Sequence, residues 1–258
     1  MINSWRNLCL DNITFTSGDN FTHSFPFHFH EEYTVGVAVN GIQKFYFEGK
    51  SCFVEPHSIF LIKPYMMHSH HPIADLGWSF KSFYLSNDLM EYLLKETGMR
   101  RISDYPLVIK DQTLFKQYIR LYAAKLLPDE AVLADFIRQL LSKATQNPDR
   151  HKPGPPEEIA AVKRYLSEQF NQKLRLENIA DIHRIDKYQL IRKFKQHLGV
   201  TPNTYLTILR IEKARKMINE GYSIVGAALE AGFYDQSHFH HSFLYYTGVT
   251  PGNFNKQH

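Results

Sequence analysis

Two His-x-His pairs in the amino-terminal third of the chain carry side chains that could do chemistry. His28 and His30 form the first pair, and His68 and His70 form the second. On a strand, residues two apart share a face, so each pair would present both imidazoles to one side. Imidazole nitrogen is a common ligand of zinc and similar divalent metals, and protonated imidazole attracts anionic groups. The alternative is that these histidines only line a pocket or the surface.

A second group of polar side chains lies in a duplicated segment near the carboxyl terminus. The motif Gly-Val-Thr-Pro occurs at 199–202 and again at 248–251. Side chains able to contact bases and phosphates precede each copy at helical spacing, which favours a nucleic-acid interface. These residues are Lys187, Tyr188, Gln189, Arg192 and Lys193 before the first copy, and Gln236, Ser237, His238, His240 and His241 before the second.

The elements predicted around these side chains are two helix-turn-helix units, at about 176–197 and about 224–246. Asp186 and Asp235 are good N-cap residues for the second helix of each unit, and Gly199 can end the first of these helices. A long helix from Pro202 to about Asn219 is predicted to join the units. An ordinary helical bundle with a solvated charged face is the alternative, but two copies in register argue against it.

The duplicated segment resembles the DNA-binding domain of AraC/XylS-type transcription regulators over residues 157–255. The stretch from Ala231 to Phe239 carries most of the resemblance, together with 190–195 and both Gly-Val-Thr-Pro motifs. The signature is long, so the resemblance is specific. It implies a sequence-specific DNA-binding protein that binds a double-stranded operator.

The resemblance also implies a role for each polar side chain. Lys187 and Lys193 would contact phosphates. The two units would contact bases in adjacent major grooves. These contacts would be made by Arg192 and Tyr188 in the first unit and by Gln236, His240 and His241 in the second. Three positions depart from the family pattern: Arg184 stands where glycine is frequent, His241 where arginine is usual and Leu244 where lysine is usual.

Runs of β-branched and aromatic residues predict short strands in the amino-terminal part. Asn40-Gly41 predicts a tight hairpin between the first two of them. Closely spaced strands indicate a small β-barrel or jelly roll. The predicted strands cover 33–39, 42–47, 58–62 and 78–85.

Helices are predicted after the strands, the first over 88–95. Amphipathic stripes at 114–126 and 132–141 predict two more, with Pro128 at the start of the second. Together the stripes exceed what a small barrel needs to cover, so one of them is predicted to form a homodimer contact. Packing on the chain's own barrel is the alternative for either stripe.

The strand-rich part resembles a cupin, the sensor barrel often joined to this kind of DNA-binding domain. The match rests on His28, His30 and Gly41 for the first cupin motif and on Pro64 and His68 for the second. The resemblance implies a pocket for a small-molecule effector, with the ligand-binding residues His28, His30, His68 and Trp78.

The same resemblance raises the question of a metal. A divalent ion (Zn, Ni, Fe or Mn) would be held by His28, His30 and His68. The glutamate of the cupin motif falls near Thr34 or Val35, neither of which can ligate, and many sensor cupins bind an organic ligand without metal. The residues on the opposite side of the first pair, Phe27 and Phe29, are expected to pack into or over the barrel wall.

Length and composition limit the class of protein. The chain of 258 residues is long enough for two domains with their own cores. No apolar run is long enough to span a membrane, the amino terminus lacks a signal-peptide pattern, and Cys9 and Cys52 form no spaced cluster. We therefore expect a cytoplasmic protein. The formal net charge is +4, and the excess of Lys and Arg lies from residue 157 onwards, which suits a polyanionic partner.

The sequence predicts an α+β protein of two domains. A cupin-like sensing and dimerisation domain spans 1–147, a linker spans 148–156, and an all-α DNA-binding domain spans 157–258. The predicted function is effector-controlled transcription regulation by a non-enzyme that would contact RNA polymerase if it is an activator. A metal-dependent cupin enzyme fused to a DNA-binding domain and a ligand-independent DNA-binding dimer are the alternatives.

Overall fold

The computed structural model describes residues 2–6, 13–47, 50–73, 77–96, 107–123, 130–144 and 155–255. Nine strands come first along the described chain, α1 and β10 follow, and the remaining elements are helices. The strands are β1 Ile2–Arg6, β2 Thr14–Phe21, β3 Phe25–His28, β4 Tyr33–Asn40, β5 Gln43–Phe47, β6 Lys50–Val54, β7 Ser58–Ile62, β8 His68–Pro72, β9 Trp78–Leu85 and β10 Leu107–Lys110. The helices are α1 Asn87–Glu96, α2 Gln112–Ala123, α3 Glu130–Ala144, α4 Glu157–Glu168, α5 Leu176–Ile182, α6 Lys187–Leu198, α7 Pro202–Asn219, α8 Ile224–Glu230, α9 Gln236–Thr247 and α10 Pro251–Asn255.

The amino-terminal domain is a jelly roll of two sheets. One sheet has the strand order β1-β2-β9-β4-β7-β10, and the other has the order β3-β8-β5-β6. The predicted barrel or jelly roll is thus confirmed in its open, two-sheet form. The buried side chains of Phe45, Val54 and Phe60 pack together in one cluster that draws on both sheets.

The predicted hairpin at Asn40-Gly41 is wrong. β4 pairs with β7 and β9, whereas β5 pairs with β6 and β8, so this turn carries the chain from one sheet to the other. Gly41 has φ +71°, and a Cβ there would lie 2.4 Å from the carbonyl oxygen of Gly77. The glycine is therefore explained by a close backbone approach at a corner rather than by a two-residue hairpin loop.

Both apolar stripes pack on the chain's own jelly roll. Leu114 and Tyr118 of α2 are buried, as are Leu133 and Phe136 of α3, in one cluster with residues of the six-stranded sheet. The hydroxyl of Tyr118 donates to the carbonyls of residues 35 and 81 at 3.1 and 3.0 Å. The described parts of the stripes therefore follow the alternative rather than the predicted dimer contact. Pro128 lies outside the described residues.

Two helix-turn-helix units form the carboxyl-terminal domain, as the sequence predicted. α5 and α6 make the first unit, α8 and α9 make the second, and the long helix α7 joins them. The carboxylate of Asp186 accepts from two backbone amides at 3.0 Å each at the start of α6. Asp235 caps α9 in the same way. Gly199 and Gly248 end these helices in the left-handed conformation, with φ +77° and +73°.

The turns of the two units differ in one respect that the sequence indicated. Gly232 supplies the second turn with φ +85°, whereas Arg184 occupies the first turn with φ +51°. A left-handed conformation costs a residue with a Cβ about 1–2 kcal/mol.

Of the predicted linker, only residues 155 and 156 belong to the described part of the chain. Among the described residues, none of the helices combines the length and apolar character needed to cross a bilayer.

Candidate functional site

Three buried imidazoles converge where β3 and β8 pair. His28 lies directly opposite His68 in this antiparallel pair, and His70 follows two residues later on β8. One ring nitrogen from each of these three side chains lies within 4.8 Å of one from each of the others. The ring centroids of His28 and His68 are 4.3 Å apart. We call His28, His68 and His70 the imidazole cluster.

His30 lies beside the imidazole cluster, with its ring centroid 4.9 Å from that of His28 and 5.4 Å from that of His68, and it has a further neighbour in the other domain. β3 ends at His28, so strand alternation no longer fixes the side chain two residues later. His30 Nδ1 instead lies 3.4 Å from Glu212 Oε2, on α7 of the other domain. The structure thus brings the predicted residues His28, His30 and His68 to the same cavity. It adds His70 to His28 and His68, and it also places His30 in contact with the second domain.

The imidazole cluster lines a cavity inside the jelly roll. The cavity has a volume of about 80 Å³ for the centres of water-sized molecules. Aromatic side chains make up much of the remaining wall, and Trp78, predicted as ligand-binding, is among them. The DNA-binding domain completes the wall with residues of α7, α9 and the segment after α9, which are Glu212, Arg215, Tyr246, Thr247, Val249 and Phe254.

Three buried polar atoms on this wall have no hydrogen-bond partner within the described residues. They are Thr34 Oγ1, His68 Nε2 and Trp78 Nε1. A buried polar atom without a partner costs about 1–3 kcal/mol, so native proteins rarely leave several in one place. The wall of the cavity therefore offers one hydroxyl, one ring nitrogen and one indole N–H to a bound group.

Burial keeps the imidazoles of the cavity neutral. Desolvation lowers the pKa of His68 to about 4. Desolvation is also the main reason why the pKa values of His28, His30 and His70 lie well below the ordinary value, with nearby imidazoles or Arg215 lowering them further. Neutral imidazole can ligate a metal or form a hydrogen bond, but it lacks the charge that would attract an anion.

Charged side chains join the jelly roll to α7, and we call them the interdomain charge group. Arg215 donates to Glu212 at 2.9 Å and lies 3.9 Å from Glu32. Lys213 donates to Glu31 at 2.9 Å. Burial raises the pKa of both Glu212 and Glu32, while Arg215 acts in the opposite direction. Because His30 is neutral, its contact with Glu212 is a hydrogen bond rather than an ion pair.

An apolar contact lies beside the interdomain charge group. Phe29 is fully buried, and its ring centroid is 5.0 Å from that of Tyr205 on α7. Phe27 packs against the same cluster of DNA-binding-domain residues. The sequence placed Phe27 and Phe29 into or over the barrel wall, and the structure adds that the second domain covers them on this side of β3.

Most of the predicted base-contacting side chains are exposed. Tyr188 is 73% exposed, the highest value among the large apolar side chains of the described residues. The predicted base-contacting residues lie in the first halves of α6 and α9, the ends that enter the major groove in helix-turn-helix proteins. The exposed set comprises Gln189 and Arg192 on α6 and Gln236, Ser237, His238, His240 and His241 on α9.

The two lysines predicted to contact phosphate are occupied by acidic neighbours. Lys187 donates to Glu177 at 2.9 Å, and Lys193 donates to Glu158 at 2.7 Å. Exposed ion pairs of this kind are worth about 0–1 kcal/mol. Either lysine can therefore exchange its carboxylate for a phosphate at little cost.

Sequence reasoning missed the interdomain charge group. Glu212 and Arg215 stand on a helix that was predicted only as a spacer between the two units. One signal was available, since Glu212 and Arg215 are three residues apart and so share a helix face with the apolar residues Ile208 and Ile211. Their partners on the jelly roll are about 180 residues away in sequence, and no local pattern predicts such a contact.

The duplicated glycines offer a test of the domain contact. A Cβ on Gly248 would lie 2.6 Å from the ring of Phe21 in the jelly roll, whereas a Cβ on Gly199 has only Phe27 at 4.0 Å. Both glycines have the same positive φ, so Gly199→Ala and Gly248→Ala pay the same backbone cost of about 1–2 kcal/mol. We expect Gly248→Ala to lower the thermal midpoint further than Gly199→Ala and to increase hydrogen exchange at the end of β2. Equal effects would mean that the contact with Phe21 contributes nothing.

The jelly roll, its cavity and the paired helix-turn-helix units define a two-domain DNA-binding regulator with a ligand-binding domain. Residues 12–154 match the family described as AraC-like ligand binding domain, and residues 179–257 match the family described as helix-turn-helix domain. The chain therefore belongs to the AraC family of transcription regulators.

Individual relatives agree with this assignment. The uncharacterised HTH-type transcriptional regulator YbfI of Bacillus subtilis is 26% identical over 222 residues, which cover 83% of this chain and 81% of that protein. The transcriptional activator RhaS of an Enterobacter species is 36% identical over 76 residues, or 29% of this chain and 27% of RhaS. The crystal structure of ToxT from Vibrio cholerae has a TM-score of 0.65 at 15% identity, covering 100% of this chain and 97% of ToxT, and so shares its fold.

Proposed function

We propose that this protein regulates transcription at specific operators and that a small molecule in the jelly-roll cavity controls its binding to DNA. One observation carries the proposal: the wall of the cavity is built from both domains. Arg215 and Glu212 belong to α7, the helix that sets the spacing of the two helix-turn-helix units. We call the arrangement with the two domains in contact closed, and an arrangement with the domains apart open. A molecule that binds these two arrangements with different affinity shifts the balance between them, and this shift changes DNA affinity.

The chemistry of the wall indicates the class of effector. Aromatic rings supply an apolar surface, and Trp78 Nε1 and Thr34 Oγ1 offer unpaired hydrogen-bonding atoms. Arg215 supplies the cation. We infer an effector with a small apolar body and an acidic or hydroxyl group. One ToxT structure contains an unsaturated fatty acid, which shows that a protein of this fold can hold a molecule of that general kind.

The assignment of DNA contacts rests on exposure and on family resemblance together. Arg192 and Tyr188 of α6 and the first half of α9 would read bases in two successive major grooves. Lys187 and Lys193 would move from their carboxylate partners to phosphates, which also predicts salt-dependent binding.

Arg192→Ala is the direct test of the DNA interface. We expect specific binding to weaken by about 1–3 kcal/mol and selectivity at one base position to relax, as for loss of a bidentate guanine contact. Arg138→Ala is the matched control, because it removes the same charge from an exposed site on α3. The operator would be found by selection from genomic DNA, and affinities measured by fluorescence anisotropy. An equal loss on specific and random DNA would make Arg192 a phosphate contact and contradict base reading.

The effector half of the proposal has its own experiment. Native mass spectrometry of the full chain would reveal a copurified small molecule, and operator affinity would be compared with and without it. A change in affinity supports control by an effector. Unchanged affinity, transcription and DNA bending would instead favour the ligand-independent DNA-binding protein, and turnover of the bound molecule would favour the cupin enzyme. We propose a non-enzyme, since both named relatives are transcription regulators.

Three further features belong to the same proposal. A homodimer fits a two-part operator, and its contact would use a surface other than the buried sides of α2 and α3. If the protein activates transcription, as the name of RhaS states for that relative, it would also contact RNA polymerase. Binding to chromosomal DNA would place the protein in the cytoplasm.

A further inference from the structure

We propose that the imidazole cluster is a binding site for a divalent transition metal of the zinc type. The ligands would be the Nε2 atoms of His28, His68 and His70. This set differs from the one predicted from sequence, because His70 replaces His30. The inference does not depend on the proposed regulation, since metal binding is measured without DNA or effector.

Hydrogen bonds at the opposite ring nitrogen orient each member of the cluster. His28 Nδ1 lies 2.7 Å from the carbonyl oxygen of Pro26, and His68 Nδ1 lies 2.8 Å from that of Met66. A carbonyl oxygen can only accept, so the proton of each neutral ring is on Nδ1 and the lone pair is on Nε2. Metal-binding histidines are typically held in this way, with the second nitrogen donating to an oxygen.

His70 is anchored by a side chain rather than by the backbone. Its Nδ1 lies 3.1 Å from Oε1 of Gln43, a residue with no exposed surface on β5. An amide oxygen is again an acceptor only, so Nε2 of His70 is also free to ligate. Gln43 is therefore a positioning residue for the site.

The spacing of the ring nitrogens and an unpaired buried nitrogen both suit a metal. Nitrogens that share one zinc ion at about 2.0–2.1 Å in a tetrahedral arrangement lie about 3.3 Å apart. One ring nitrogen of each histidine lies within 4.8 Å of one ring nitrogen of the other two, so the rings would have to move closer together to share one ion. His68 Nε2 is buried and has no partner among the described residues, so a metal would remove the cost of leaving it unpaired.

Three imidazoles favour borderline ions over hard ones. Nitrogen ligands suit zinc, nickel and iron, whereas magnesium prefers oxygen. Three protein ligands leave a fourth position, and the cluster lines the cavity, so that position would be available to an oxygen of a bound molecule.

The test uses the full chain, stripped with a chelator and equilibrated with Zn²⁺. Bound zinc per chain would be measured by mass spectrometry of the metal after gel filtration, and affinity by competition with a chelating dye. We expect one zinc per chain for the wild type, loss of this zinc in His68→Ala and His70→Ala, and affinity weakened about 10–100-fold in Gln43→Leu. Mg²⁺ should not compete.

Three single variants serve as controls. His71→Ala removes the imidazole next to His70 in sequence, and His240→Ala removes one from the exposed histidines of α9. His30→Ala removes the imidazole that the sequence favoured. All three should retain the zinc. If His71→Ala or His240→Ala loses as much bound zinc as His68→Ala, the zinc binds at the surface. If His30→Ala loses as much bound zinc as His68→Ala, the proposed ligand set is wrong.

A measurement on the wild type guards against misfolding of the variants. Co²⁺ bound by three ring nitrogens gives visible absorption bands that ions in solution lack, and Zn²⁺ should remove them at one equivalent. Absence of stoichiometric zinc, or a cobalt spectrum identical to that of the free ion, would overturn the proposal.

Discussion

Arg215→Ala is expected to separate the jelly roll from α7 and to abolish the response to effector. Arg215 is 11% exposed and contacts Glu212 and Glu32, and its guanidinium carbon lies 4.7 Å from the ring centroid of Tyr84. Removing one partner of a buried ion pair typically costs about 3–5 kcal/mol, because the other charge remains buried. Glu212 is only 7% exposed, so its carboxylate can reach water only if the domains part, and this cost would drive opening.

The experiment compares Arg215→Ala with Arg164→Ala. Arg164 forms an ion pair with Glu157 on the surface of α4, where both partners are more than half exposed, and such pairs are worth about 0–1 kcal/mol. Small-angle scattering should show expansion for Arg215→Ala alone. Adding Glu212→Gln to Arg215→Ala should recover part of the lost stability, because it removes the unpaired charge. If Arg215→Ala behaves like Arg164→Ala in scattering and in thermal unfolding, the interdomain charge group does not hold the domains together.

The sequence was most informative where the chemistry is local. Each helix-turn-helix unit depends on an aspartate cap, a small set of inward apolar residues and a glycine in the left-handed conformation, and all of these act within about twelve residues. The caps Asp186 and Asp235 and the terminating Gly199 therefore had the predicted roles. The duplication added a second, independent copy of the same local pattern, which made the prediction of two units secure.

Prediction failed where a side chain's role depends on distant parts of the chain. The rings of His28 and His30 do lie together, 4.9 Å apart, but β3 ends at His28, and strand alternation did not predict the further contact of His30 with the second domain. Asn40-Gly41 has the composition of a hairpin turn, yet the flanking strands pair with other strands. The contact between His30 and Glu212 spans 182 residues, so only tertiary structure could reveal it.

Phe29→Ala is expected to release the DNA-binding domain while leaving the jelly roll folded. Phe29 comes from the jelly roll but packs in a cluster whose other members, apart from Met67 and Phe27, belong to the second domain. Truncating a buried phenylalanine costs about 3–5 kcal/mol. This contact exists only in the closed arrangement, so the substitution destabilises the closed form alone. Since 1.4 kcal/mol changes an equilibrium constant tenfold, the ratio of open to closed molecules should rise by a factor of about a hundred or more.

Phe136→Ala separates this effect from a general loss of stability. Phe136 is also buried, but it lies on α3 in a core cluster whose described members all belong to the jelly-roll domain. Both variants should lower the thermal midpoint. Only Phe29→Ala should speed hydrogen exchange along α7 near Tyr205 and change operator affinity in the absence of effector. If both variants leave exchange in α7 unchanged, the contact through Phe29 does not restrain the DNA-binding domain, and control would have to act through the interdomain charge group alone.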